Sequence, residues 1–226
     1  MPYSKKHNTL FIHIPKCAGK SFEVALGITS KREVNKYKWR SNINRFGKLI
    51  LKKTLDKKAL PRLWGVHDIT LAMQHLTYAE IELLNLIDTE TLNNSIKVAI
   101  VRNPYDRAVS SYHHMGQGYN SFLDFLQNYY AAPSRDHNAL AHKRPQIDFL
   151  RDKEGNIVVE NLIRFENLQE DFKTFKKNYN IKTAEIPHIG QQRKESSYIN
   201  FYNSETKKLV EEIFNSDFKL LGYKKM

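Results

Sequence analysis

The sequence predicts an α/β fold, a three-layer sandwich with a mostly parallel central sheet flanked by helices. Two observations carry this expectation. Three short apolar runs each lead through a tight turn into a helical pattern, and helical patterns with recognisable starts fill the intervals between them. Length sets the scale: 226 residues fit one domain with an insertion better than two domains. A chain of this size buries about 70% of its unfolded surface and needs no disulfides to hold a core.

The first unit begins at Thr9-Leu10-Phe11-Ile12-His13-Ile14, stops at Pro15, turns through Lys16-Cys17-Ala18-Gly19, and enters a helix with apolar Phe22, Val24, Ala25 and Leu26. The second runs from Ile96 to Val101, turns at Arg102-Asn103-Pro104 and continues as a helix through Tyr112. Pro104 suits a first helical position, where its missing N–H costs nothing. In the third, Ile157-Val158-Val159 through Ile163 reads as strand and Asn167 to Tyr179 as helix, with Phe172 and Phe175 apolar. Between them, Thr77-Tyr78-Ala79-Glu80 and Ser121 to Asp124 read as capping boxes, and Ser204 opens a further helix near the end of the chain. In such a sheet ligands gather beyond the carboxyl ends of the strands. Two of those ends carry Lys16 and Arg102, and Arg164 lies close to the third.

Composition excludes several classes. Hydrophobic content of 41% and charged content of 27% are those of a globular domain, not of a disordered or collagen-like chain. Cys17 is the single cysteine, so no internal bridge forms. No apolar run approaches the roughly 18 residues of a membrane span, and the first residues lack a signal-peptide apolar region. The expected setting is therefore cytoplasmic, or the chain has been trimmed of an anchor. The sequon at Asn93-Asn94-Ser95 is read as chance.

Net charge is +12, and residues 31–62 hold twelve Lys or Arg against Glu33 and Asp56. This stretch reads as a basic, helical insertion. It raises the local concentration of an anionic partner, whether polysaccharide, phosphorylated cofactor, membrane or nucleic acid; a solvated helix face is the plainer alternative. The segment His13 to Phe22, HIPKCAGKSF, is the most informative. A glycine-containing turn between strand and helix aims backbone N–H groups at an anion, Lys16 and Lys20 add charge, and Ser21 adds a hydroxyl. Gly19-Lys20-Ser21 invites comparison with GxxxxGK[ST], but Ile14 stands where that motif needs glycine. A nucleotide triphosphatase would also need an aspartate after its second strand to hold magnesium, and this strand ends in Arg102. Arg102 offers a planar fork suited to phosphate, with Ser110 two turns further along the same helix; pairing of Arg102 with Asp106 is the alternative.

HIPKCAGKSF resembles the 5′-phosphosulfate-binding loop of sulfotransferases that use 3′-phosphoadenosine-5′-phosphosulfate (PAPS), and VRNPYDRAVSSY resembles their 3′-phosphate-binding segment. The likeness extends to the carbohydrate sulfotransferases that include the 2-O-sulfating enzymes. HNALAHKRPQ (His137 to Gln146) resembles their His-x-x-Pro-Gln element, and RFENLQEDF and the tail from Ile186 to Tyr223 are similar to theirs. The resemblance implies a P-loop-like fold, a single domain over residues 1–226, PAPS as donor, 3′,5′-bisphosphoadenosine (PAP) as product and no metal. It implies that Lys16 meets the sulfate-bridging oxygen, and that Lys16, Cys17, Ala18, Gly19, Lys20, Ser21 and Phe22 cradle the 5′-phosphate. It places Arg102, Ser110 and Arg193 on the 3′-phosphate, Phe165 beside adenine, and His142, Arg144 and Gln146 on the acceptor, a glycan or polysaccharide; nucleic acid is not expected. It departs from the family at Phe165, often tyrosine, and at Lys20, mostly threonine or serine.

Transfer to a hydroxyl needs a base, and histidine is suited by its pKa. His67, after the apolar run Leu63-Trp64-Gly65-Val66, matches the region of the family's catalytic histidine and is the expected base; Asp68 and Glu23 are weaker candidates and His13 is read as structural. Cys17, next to lysines, sits where thiol pKa values fall, but is read as loop filling. Adjacent His113 and His114 point apart on a helix, and no zinc-type spacing occurs. Two other functions stay open from the residues: a phosphate-loop kinase, favoured by Gly19-Lys20-Ser21, and a non-catalytic polyanion-binding protein that uses the basic insertion.

Overall fold

The computed structural model describes residues 3–29, 75–134, 136–187 and 198–226. The insertion at 31–62, His67, Asp68 and Arg193 lie outside the described residues. A four-stranded sheet has the order β1-β2-β3-β4. β2 (Thr9–Ile12), β3 (Ile96–Val101) and β4 (Asn161–Arg164) are parallel, and β1 (Tyr3–Ser4) adds an antiparallel edge. The register pairs Ile12 with Ala99 and Val101 with Arg164, so the turns after these strands open at one end of the sheet. β2 is buried along its whole length and β3 over its last four residues, as expected of parallel strands covered by helices.

Each strand runs on into a helix. After β2 comes α1 (Gly19–Ala25). Thr77 caps α2 (Tyr78–Leu83) through a reciprocal box with Glu80, and α3 (Thr89–Asn94) leads into β3. Beyond β3, Asn103 caps α4 (Pro104–Met115) by accepting from the Tyr105 N–H, and Pro104 occupies the first turn. α5 (Phe122–Asp124) continues into a π-helical turn, and α6 (His137–Lys143) follows. The chain ends with α7 (Leu168–Asn178), α8 (Ser204–Ile213) and α9 (Asn215–Leu220). One core cluster surrounds the sheet, with Phe11, Phe22, Val98, Ile100 and Phe172 at its centre. A second joins α4 to the α5 turn, α8 and α9 through Tyr105, Phe125, Val210 and Phe214.

One boundary differs from expectation. Ile157-Val158-Val159 do not belong to the strand: Ile157 makes an isolated bridge to Arg151, and pairing with β3 starts only where Asn161 meets Val98. The helix near the end of the chain opens at Ser204 as expected, with Asn203 as its cap in a box with Thr206.

Candidate active site

The turn between β2 and α1 is shaped by its backbone. Lys16 and Ala18 both have left-handed φ, 70° and 60°. Alternating left-handed residues aim successive N–H groups to one side, a concavity that receives anions. Lys16 is half-buried and Lys20 exposed at its rim. Gly19 is required here, because a Cβ would lie 2.0 Å from Nε2 of His13. That imidazole is buried under the turn, with Nδ1 2.7 Å from Oε1 of Glu23. His13 is thus structural as expected, and Glu23 is engaged beneath the loop rather than facing a substrate.

The turn after β3 touches the first one directly. Arg102 donates from Nη1 to the Lys16 carbonyl at 2.9 Å and from Nε to Asp106 at 2.7 Å. Its guanidinium lies 4.0 Å from the Phe165 ring centroid. The pairing with Asp106 is therefore present, and so is the link between the two cationic turns; among the described residues Nη2 makes no further bond. Ser110 lies one helical turn beyond Asp106 on the same face of α4, half-exposed. Tyr198 has its phenol pushed up, first by burial and then by the carboxylates of Asp106 and Glu166. A second arginine from the same helix, fully buried Arg107, donates to the carbonyls of Pro15 (3.2 Å) and Arg144 (3.0 Å) and braces the loop from behind.

A row of imidazoles runs from the loop. His75 stands 4.6 Å from the His13 ring and 5.7 Å from His142, and His142 stacks on His114 at 5.6 Å. His75 donates from Nδ1 to the His13 carbonyl at 2.9 Å, which leaves the Nε2 lone pair as its proton acceptor. Burial, then His13, holds its pKa well below the ordinary value, with His142 and Lys20 acting in the same direction. Burial likewise holds His142 down to about 3 although it donates to the Asn138 carbonyl at 2.8 Å. His114 is lowered by partial enclosure and by Lys16 and Lys20. Near neutral pH His75, His114 and His142 therefore add no fixed positive charge to that of the lysines and arginines. His75 was missed by the sequence reading; its signal was a histidine two residues before a capping threonine, on a loop that a helix start anchors.

The remaining expected residues divide. Phe22 is buried in the core, so it supports the loop with its ring and faces it only with its backbone. Ser21 is buried in the first turn of α1. Cys17 is buried, with its thiol against the Pro15 carbonyl and Gln146 Oε1, and burial pushes it up to about 12, as fits loop filling rather than a reactive thiol. Arg144 pairs with Glu80 at 3.0 Å. Gln146 is fully buried, with its amide bonded inside the protein, so it has no surface to offer an acceptor. Among the described residues no group of three or more His, Cys, Asp or Glu is arranged to hold a metal ion.

A cationic, glycine-containing turn that follows a buried parallel strand, tied to a second cationic turn at the neighbouring strand end, defines a P-loop-like α/β protein. The family model described as a sulfotransferase family matches residues 2–224, and the chain belongs to that family. It is a sulfuryl-transferring enzyme by membership, and the family in general draws on PAPS and releases PAP. No curated protein and no solved structure matches the chain. Among the described residues no helix is long and apolar enough to cross a membrane.

Proposed function

We propose that the protein transfers the sulfuryl group of PAPS to a hydroxyl of a carbohydrate acceptor, in line and with a histidine as general base. The observation that carries this reading is the bond from Arg102 to the Lys16 carbonyl, which brings two phosphate-binding turns within one nucleotide's reach. The donor set fits: the concave backbone of residues 16–19, Lys16, Lys20 and Ser21 suit a 5′-phosphosulfate, and Arg102, Ser110 and Arg193 suit a 3′-phosphate. Cys17 and Ala18 take part through backbone, and Phe165, whose ring Arg102 already contacts, offers an apolar edge to the base.

PAPS supplies an activated sulfuryl group on a phosphate leaving group. Lys16 neutralises the charge that grows on the bridging oxygen as the sulfur–oxygen bond breaks and its electron pair goes to PAP. The acceptor oxygen forms the new bond to sulfur, and its proton passes to an imidazole nitrogen. His75 is the best-placed base among the described residues, neutral and with Nε2 available beside the loop. His67 keeps its place as the expectation from sequence. Arg144 lines the acceptor side of this reading, with buried His142 behind it. The basic stretch 31–62 favours an acidic polysaccharide.

Thermal melting with PAP, ADP and ATP–magnesium tests the reading against the kinase and polyanion-binding alternatives. PAP at a hundred times its Kd is expected to add about 2.7 kcal/mol, a rise of roughly 5–10 °C for a chain of this length. Stabilisation by ATP–magnesium alone would establish the kinase, and indifference to all three the polyanion-binding protein.

A further inference from the structure

Gln146 and Asp217 form a buried polar hub behind the two turns, and both side chains are completely enclosed. The Gln146 side-chain amide pairs with the backbone of Arg102 on both sides. Oε1 accepts from the Arg102 N–H at 2.8 Å, and Nε2 donates to the Arg102 carbonyl at 2.8 Å. This is the hydrogen bonding that a further strand would offer, made by one side chain at the residue that follows β3. The same Oε1 accepts from the Cys17 thiol of the first turn at 3.4 Å. From the other side Asp217, on α9, accepts from Gln146 N (2.9 Å), Gln146 Nε2 (3.2 Å) and Ile147 N (2.9 Å). Arg107 lends it positive charge from α4.

A buried amide with this many partners tolerates no rotation, because every alternative leaves donors or acceptors unpaired at about 1–3 kcal/mol each. The connection runs from Asp217 through Gln146 to the Arg102 backbone, and the Arg102 side chain completes it to the Lys16 carbonyl. We propose that Gln146, held by Asp217, is a positioning residue that fixes Arg102 relative to the Lys16 turn, and so sets the span over which a 3′- and a 5′-phosphate are held together. The proposal rests on the two-phosphate reading above. A strut of this kind affects a ligand that engages both turns and spares one that engages only the first.

The test is calorimetric titration of wild type, Gln146→Met, Arg102→Ala and the double variant with PAP and with adenosine 5′-phosphate. Gln146→Met keeps the length of the side chain and removes its polar atoms. It is expected to reduce the preference for PAP over adenosine 5′-phosphate by about tenfold or more, the equivalent of one misplaced charged hydrogen bond. In the Arg102→Ala background the same substitution should leave the preference unchanged, because it acts through Arg102. A core truncation elsewhere, Val210→Ala, should lower the melting temperature and leave the preference alone. A folded Gln146→Met with the wild-type preference, or with equal losses for both nucleotides, overturns the proposal. Wild type with no preference for PAP overturns the two-phosphate reading beneath it. Amide exchange in the unsubstituted protein gives a readout that needs no variant to fold: PAP should slow exchange of the Arg102 N–H far more than adenosine 5′-phosphate does, and equal slowing contradicts the strut.

Discussion

His75→Ala is expected to lower kcat for sulfuryl transfer by about 10²–10⁴-fold, the usual contribution of a positioned base, while PAP affinity stays within about twofold because a general base acts on the acceptor hydroxyl and not on the phosphates. Assays use PAPS with whichever hydroxyl acceptor from a panel of neutral and acidic glycans gives the fastest wild-type rate. The pH profile adds a second signature. A base works deprotonated, and the His75 pKa is depressed, so kcat/KM, which reports the free enzyme, should hold its plateau below pH 6.5 and fall only as pH drops through the lowered value. An acid limb centred at or above the ordinary histidine value contradicts His75 as base. His67→Ala belongs in the same experiment: loss there, with His75→Ala still active, assigns the base to His67.

Arg102→Ala produces the second large effect, a fall of about 10²-fold in PAP affinity. Charge-assisted hydrogen bonds to a phosphate are worth about 1.5–3 kcal/mol each, and the variant removes the fork that makes them. Affinity for adenosine 5′-phosphate should fall far less, since only the loss of the Lys16 carbonyl bond reaches that turn. Arg102→Lys restores charge without the fork and should recover only part of the loss. Equal losses for both nucleotides, measured by calorimetry, would mean that Arg102 holds the loop together and does not hold the 3′-phosphate.

What the sequence disclosed and what it concealed follow from the range of the interactions. Asn103-Pro104 and Thr77 to Glu80 announce their helices because a cap and a proline act within four residues. The cationic turns were legible for the same reason: each is a short segment directly after an apolar run. The start of β4 was not. Ile157-Val158-Val159 have strand propensity, but the edge of β3 is first reached at Asn161, and no local pattern encodes that register. Cys17 was read as loop filling against the pull of its lysine neighbours, and its tertiary enclosure, which raises its pKa, agrees with that reading. Gln146 read as one polar residue of an acceptor-binding element, yet its partners Cys17, Arg102 and Asp217 lie 129, 44 and 71 residues away. Burial of a polar side chain in a hub of that kind is a property of the fold alone.

The most direct measurement is a crystal structure of the protein grown with PAP. The account predicts the 5′-phosphate in the concavity of residues 16–21 against Lys16, and the 3′-phosphate against Arg102 and Ser110. Nucleotide bound elsewhere, or bound here with Arg102 still closed on Asp106 and touching neither phosphate, would contradict it.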